Sequence, residues 1–281
     1  MDKFFTYNDV AIPAFMYGTA WKNEKTARLV ELAVDSGFVA IDTANQLIHY
    51  QEALVGEALL GLARKGVKRE SLFLQTKFTS VSGQDHRTPY DQSVDLPTQV
   101  QQSFESSLQH LHTDYLDSYV LHGPSSRWGL SQADWDVWGA MEEFQQSGKT
   151  KIIGISNVHA DQLQELCEKA TVEPMVVQNR CYAVTGWDKE VRSICQAQGI
   201  IYQGFSLLTA NQDVLRDPQV WDIAKRVGAN PMQVIFRFAL QIGMLPLTGT
   251  TDEQHMKDDL DVLVKFQLSQ DDIQKIESIA M

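Results

Sequence analysis

The sequence predicts a (β/α)8 TIM barrel with an extra helix between strands seven and eight and a C-terminal helix. Two observations carry this. Short β-branched or aromatic runs recur eight times, each followed by apolar residues at helical spacing, and most of the runs are too apolar for a sheet with one wet face. No linker or composition break divides the chain, so residues 1–281 are read as one domain, a length that suits a barrel with insertions. A doubly wound sheet is disfavoured because no GxGxxG follows the first strand.

In order, the strand runs are Phe15–Gly18, Val39–Asp42, Leu72–Lys77, Tyr115–His122, Lys151–Ser156, Met175–Gln178, Ile200–Phe205 and Met244–Thr248. Between them, Val100, Phe104, Leu108 and Leu111 form one helical stripe, Leu163, Leu166, Cys167 and Ala170 a second, and Val220, Ile223, Ala224 and Val227 a third. Two helices, Asp217–Val227 and Pro231–Ile242, fit before the last strand, the second starting from an Asn230 N-cap with proline at its first position. Ser269 to Asp272 reads as a capping box with Leu268 and Ile273 as its staple, so the carboxyl-terminal segment is expected to be helical. The long segment Thr79 to Leu96 is expected to shape a substrate mouth.

Hydrophobic residues make up 43% and charged residues 21%, which excludes disordered and fibrous classes. Acidic side chains outnumber basic ones 36 to 24, and no basic block exceeds Arg64-Lys65, so a nucleic-acid partner is not expected. The apolar stretch Val234 to Thr250 is interrupted by Arg237 and Gln241, and Met1-Asp2-Lys3 does not open an export signal, so no membrane association is expected. Cys167, Cys181 and Cys195 are odd in number and match no metal-ligand spacing, which favours a reducing, cytoplasmic location. No heptad seam calls for assembly, and a monomer is expected.

A barrel of this kind carries its site at the carboxyl ends of the strands. Asp42, Lys77 and His122 end three successive strands there, so a buried Asp–Lys pair facing an imidazole is expected. Asp85-His86, and His110 with His112, have no third ligand and read as solvated, so no metal is expected.

The ordered motifs Gly18-Thr19, Ile41-Asp42-Thr43-Ala44, Leu74-Gln75-Thr76-Lys77, Leu121-His122, Gly154-Ile155-Ser156-Asn157, Gln178 and Gly249-Thr250-Thr251 resemble the aldo-keto reductase superfamily over nearly the whole chain. The resemblance implies a barrel that reduces aldehydes or ketones with a nicotinamide cofactor, through an Asp, Tyr, Lys and His tetrad. Asp42, Lys77 and His122 fall on three of those positions. The family places the tyrosine five residues after the aspartate, which is Leu47 here; counting back from Val55-Gly56 lands on His49. The adjacent Tyr50 is the hydroxyl-bearing aromatic within reach and is assigned as the acid, its pKa expected to be lowered by Lys77. His49 is kept as a pocket residue or substitute.

The resemblance also implies that Ser156, Asn157 and Gln178 hold the cofactor carboxamide, while Phe205 stands where a tyrosine usually stacks on the ring. Gly18, Thr19, Ala20, Ser206 and Leu207 flank the cofactor, Gly249, Thr250 and Thr251 receive phosphate oxygens, and Gln254 and Asp258 lie around the adenosine. The implied cofactor is NADP(H), with NAD(H) not excluded: Leu247 stands where many members carry lysine, His255 replaces an arginine, and Lys257 is the candidate substitute. Trp21, His49, Phe78, Tyr90 and Trp128 are assigned to an apolar pocket for a small-molecule carbonyl or alcohol substrate. The alternative from another class is a catalytically weak, nicotinamide-binding accessory or regulatory protein. A metal-assisted or lyase-type barrel is the third reading, with Lys77 as its lone Schiff-base candidate.

Overall fold

In a computed structural model, which describes residues 4–7 and 10–279, a two-stranded antiparallel hairpin, β1 (Phe4–Tyr7) and β2 (Val10–Pro13), precedes the barrel. The barrel strands are β3 (Met16–Gly18), β4 (Ala40–Asp42), β5 (Phe73–Phe78), β6 (Leu116–Leu121), β7 (Thr150–Ser156), β8 (Val176–Arg180), β9 (Ile201–Phe205) and β10 (Met244–Thr248). All eight are parallel, and β10 pairs with β3 to close the ring. The predicted strands are borne out, most of them to within a residue or two at each end.

The hairpin was not anticipated, because two four-residue strands carry too little alternation to stand out. Its Phe5, Tyr7, Val10 and Ile12 join Met16, Ala40, Phe73, Ile152, Val176, Ile201 and Leu245, mostly from the amino-terminal ends of the strands, in one apolar cluster. The hairpin therefore floors the barrel and leaves the opposite end for chemistry.

Around the barrel lie α1 (Thr26–Asp35), α2 (Glu52–Arg64), α3 (Leu96–His110), α4 (Gln132–Gln146), α5 (Ala160–Lys169), α6 (Lys189–Gln198), α7 (Gln212–Arg216), α8 (Pro218–Val227), α9 (Pro231–Gln241), α10 (Glu253–Asp261) and α11 (Gln270–Ser278). The stripes behave as read: Val100 and Phe104 of α3, Leu163 and Leu166 of α5, and Val220, Ile223 and Ala224 of α8 are buried. Asn230 caps α9 with Gln233 in a capping box, and Ser269 with Asp272 does the same for α11. The short α7 adds one helix to the two expected between the last two strands. Among the described residues no helix is long and apolar enough to cross a membrane.

Residues 79–96 do not form the cavity mouth that the sequence suggested. Instead they brace the loop after β4: Gln46 Nε2 donates to the Gly83 carbonyl at 2.8 Å and Gln84 Nε2 to the Asn45 carbonyl at 2.9 Å. A glutamine side chain from each loop thus meets a backbone carbonyl of the other, which leaves neither carbonyl unpaired.

Candidate active site

At the carboxyl end of the strands a cavity of about 390 Å³ opens, lined by Asp42, Tyr50 and His122 on one side and by the ends of β7 to β10 on the other. Trp21, Asn157 and Ser206 line it with φ of 62°, 53° and 58°, a conformation that non-glycine residues adopt at a cost and that clusters at functional sites.

The loop between β4 and α2 places Tyr50. Asn45 Nδ2 anchors it to the Ser103 carbonyl on α3 at 3.2 Å, and the Tyr50 amide closes a turn on the Gln46 carbonyl at 3.0 Å. The turn brings the Tyr50 ring into the cavity, with its centroid 5.9 Å from that of His122 and 5.2 Å from the Lys77 ammonium. His49 is turned to the rim, where its ring lies 4.2 Å from that of Trp21. Of the two residues the sequence left in competition, Tyr50 is thus the one at the cavity wall.

Lys77, on β5, lies fully buried beneath the cavity. Its three N–H donors are spent on Asp42 Oδ1 at 2.7 Å, Asp42 Oδ2 at 2.8 Å and the Thr43 carbonyl at 2.7 Å. Burial lowers its pKa while Asp42 pulls the other way. The expected lowering of the Tyr50 pKa does not occur: burial first, and the Asp42 charge second, raise it. The ammonium sits over the ring without bonding the hydroxyl, so the low-dielectric surroundings dominate.

Two amides share Asp42, and a third joins the two. The register sets Asp42 beside Gln75 and Gln178 beside Gln203, so all four meet inside the barrel. Gln75 Nε2 and Gln178 Nε2 donate to Asp42 Oδ1 at 2.8 and 3.0 Å, and both donate to Gln203 Oε1, at 2.8 and 3.0 Å. A carboxylate only accepts, so it fixes which way each amide faces. Gln178 lines the cavity, and its Oε1 accepts from no donor among the described residues. Gln75 and Gln203 were not singled out from the sequence; polar side chains at inward positions of a barrel strand were the available signal.

His122 follows β6, held by its amide on the Phe78 carbonyl at 2.9 Å, with Nδ1 2.6 Å from Thr79 Oγ1. Burial, then the Lys77 charge, holds its pKa down at about 3, so the imidazole is neutral. Asn157 Nδ2 donates to the His122 carbonyl at 2.8 Å, which ties β7's end to β6's.

Gly18, Ala20, Ser156, Phe205, Leu207, Gly249 and Thr250 also line the cavity. Thr19 does not: its hydroxyl turns into the barrel wall and donates to the Asp42 carbonyl at 2.9 Å. Thr251 and, on α10, Gln254 and Lys257 are exposed outside it, with Gln254 bonded to the half-buried Asp258 at 3.0 Å and Lys257 paired with Glu253 at 2.6 Å. Phe78 and Tyr90, expected in the substrate pocket, do not line the cavity. Both are buried, with ring centroids 5.7 Å apart, and the Tyr90 hydroxyl donates to the Thr79 carbonyl, because an inward turn satisfies both its apolar ring and its polar tip. Trp128 is 77% exposed beside His159, away from the cavity. His110 is not simply solvated, since its Nδ1 meets the buried carboxylate of Glu52 at 2.9 Å.

Lys22, Leu208, Thr209 and Thr248 line the cavity without having been picked out. Lys22 is the sole lysine or arginine in that lining. Its ammonium donates to the Gly249 carbonyl and has no carboxylate partner among the described residues, and burial lowers its pKa. A Cβ at Gly249 would stand 3.1 Å from Lys22 Nζ, so glycine keeps this corner open. Among the described residues no cluster of potential metal ligands occurs.

The sequence model of the Aldo/keto reductase family matches residues 14–281. An uncharacterized oxidoreductase, YtbE, of Bacillus subtilis (strain 168) is 31% identical over 276 residues, covering 97% of this chain and 91% of that protein. Glyoxal reductase of the same organism is 31% identical over 275 residues, with 97% and 91% covered. Among solved structures, an aldo/keto reductase from Brucella melitensis superposes with a TM-score of 0.81 at 25% identity, over 98% of this chain and 97% of that one. The chain belongs to the aldo/keto reductase family, and its relatives support an oxidoreductase that acts on small carbonyl compounds.

Proposed function

We propose that the protein is a cytoplasmic, monomeric, single-domain NAD(P)H-dependent reductase that converts an aldehyde or ketone to an alcohol with Tyr50 as general acid. The observation that carries this is the meeting of Tyr50, His122 and Asp42 at one cavity wall, with Lys77 paired to Asp42 beneath it, opposite the Gln178 amide and the Lys22 ammonium.

The residues present suit a nicotinamide dinucleotide. Gln178 Oε1 is oriented to accept from a carboxamide N–H, Phe205 offers a flat apolar face, and Lys22 with the open corner at Gly249 suits phosphate oxygens. Bound there, a reduced nicotinamide supplies the hydride. Tyr50 Oη donates its proton to the carbonyl oxygen as negative charge develops there, and its raised pKa keeps that proton in place at neutral pH. His122 hydrogen-bonds the same oxygen, and Asp42 holds the Lys77 ammonium near the Tyr50 ring, 5.2 Å from its centroid. NADP(H) is the proposed form. Lys257 and His255 are its candidate 2′-phosphate contacts, and since Lys257 already pairs with Glu253, discrimination against NAD(H) is expected to stay below about tenfold. The three free cysteines, two of them buried, accord with a reducing compartment.

The test is turnover with NADPH and NADH over a panel of aldehydes and ketones. Tyr50→Phe is expected to lower kcat by at least about 100-fold with the cofactor Kd kept, and His49→Ala to change KM more than kcat. Tight cofactor binding without turnover in the wild type would favour an accessory protein instead.

A further inference from the structure

Thr79, the second residue after Lys77, contacts His122 on the side away from the cavity. Its hydroxyl lies 2.6 Å from Nδ1, and neither that hydroxyl nor Nδ1 has another hydrogen-bond partner among the described residues. Two arrangements are available. If Nδ1 carried the proton and donated it, the buried Thr79 hydroxyl would keep a proton with no acceptor, at a cost of roughly 1–3 kcal/mol. If the hydroxyl donates to Nδ1, both groups are satisfied and the ring proton resides on Nε2.

Thr79 itself is held from three directions. Its carbonyl accepts from Tyr90 Oη at 2.8 Å and from Gln84 Nε2 at 3.4 Å. Its Cγ2 lies 2.7 Å from where a Cβ would stand at Gly83, so only glycine there lets the methyl take this position and leaves the hydroxyl aimed at the imidazole. The buried Tyr90 thus has a part to play, as one of the anchors of Thr79.

We propose that Thr79 is a positioning residue that fixes His122 as the neutral Nε2–H tautomer, so that the imidazole meets the substrate oxygen as a hydrogen-bond donor beside Tyr50. This rests on the reductase reading for its kinetic consequence, but the tautomer itself does not depend on it. With Nδ1 free, as in Thr79→Val, the two tautomers mix and part of the enzyme presents an acceptor to a developing oxyanion.

The experiment pairs 15N imidazole NMR of the wild type, Thr79→Val and Thr79→Ser with steady-state kinetics on the same samples. Expected are an Nε2–H signature in the wild type and Thr79→Ser, a mixed signature in Thr79→Val, and a kcat lowered about tenfold or more in Thr79→Val alone, with the cofactor Kd unchanged. An Nδ1–H wild type, or a Thr79→Val enzyme with wild-type tautomer and kcat, overturns the proposal. If Thr79→Val loses its cooperative melt, Gly83→Ala, which crowds the Thr79 methyl, is expected to give the same mixed signature, and an unaltered one overturns the proposal. A wild type that shows the Nε2–H tautomer yet turns over no carbonyl refutes the reductase reading and leaves the tautomer assignment standing.

Discussion

Tyr50 and His122 both hold the protonation state that the proposed carbonyl reduction needs, for the same reason: desolvation makes either costly to charge at the cavity wall. Burial and Asp42 keep the phenol neutral, and burial with Lys77 holds the imidazole at a pKa of about 3. For His122 the folded value lies below the ordinary 6.5, so the unfolded chain binds the proton more readily between the two. Its contribution to stability is therefore complete above pH 6.5 and declines as pH falls from there towards 3. Thermal melts at pH 7 and pH 4.5 test this: His122→Asn is expected to lose less stability on acidification than the wild type. A conventional imidazole titration near 6.5 in the folded protein, seen by NMR, would contradict it. Asp42, Lys77 and His122 were legible as a cluster because each stands at a strand end. Tyr50 was legible only as a competitor of His49, since a loop with a displaced tyrosine has no periodicity from which to read its turn.

At the scale of elements, α2 and α3 meet where Val55-Gly56 stood out in the sequence. The reason for glycine is close approach: a Cβ at Gly56 would lie 1.7 Å from the His110 carbonyl oxygen at the end of α3. The same contact brings His110 to the buried Glu52, which also accepts from the Thr76 hydroxyl on β5. Gly56→Ala is expected to cost about 3 kcal/mol by forcing the two helices apart, measured as a lower midpoint in urea with cofactor affinity little changed. Helix stripes and caps were readable because they are local. The hairpin under the barrel and the docking of residues 79–96 on the loop after β4 were not, because their stability comes from strand ends and loops remote in sequence.

For the whole molecule, the polar layer of Asp42, Lys77, Gln75, Gln178 and Gln203 spans the barrel from β4 and β5 to β8 and β9. Such a layer is stable only if every member is paired. Lys77→Met leaves Asp42 without its cation and is expected to destabilise the fold by about 3–5 kcal/mol. Adding Asp42→Asn to Lys77→Met is expected to restore part of that stability and none of the activity, which denaturant melts and a turnover assay read separately. If both variants prove equally unstable, the charge pair is not what holds this layer.

By itself the sequence determined the order of strands and helices, the polar strand ends and the likeness to a reductase family, because alternation, capping and short motifs act within a few residues of chain. Tertiary structure alone decided that Tyr50 rather than His49 reaches the cavity, that Phe78 and Tyr90 turn inward, that Gln75 and Gln203 orient Gln178, and that Thr79 meets His122. Each of these depends on which side chains from different strands share one small volume, and there the pairing of buried polar groups and the exclusion of water set the outcome.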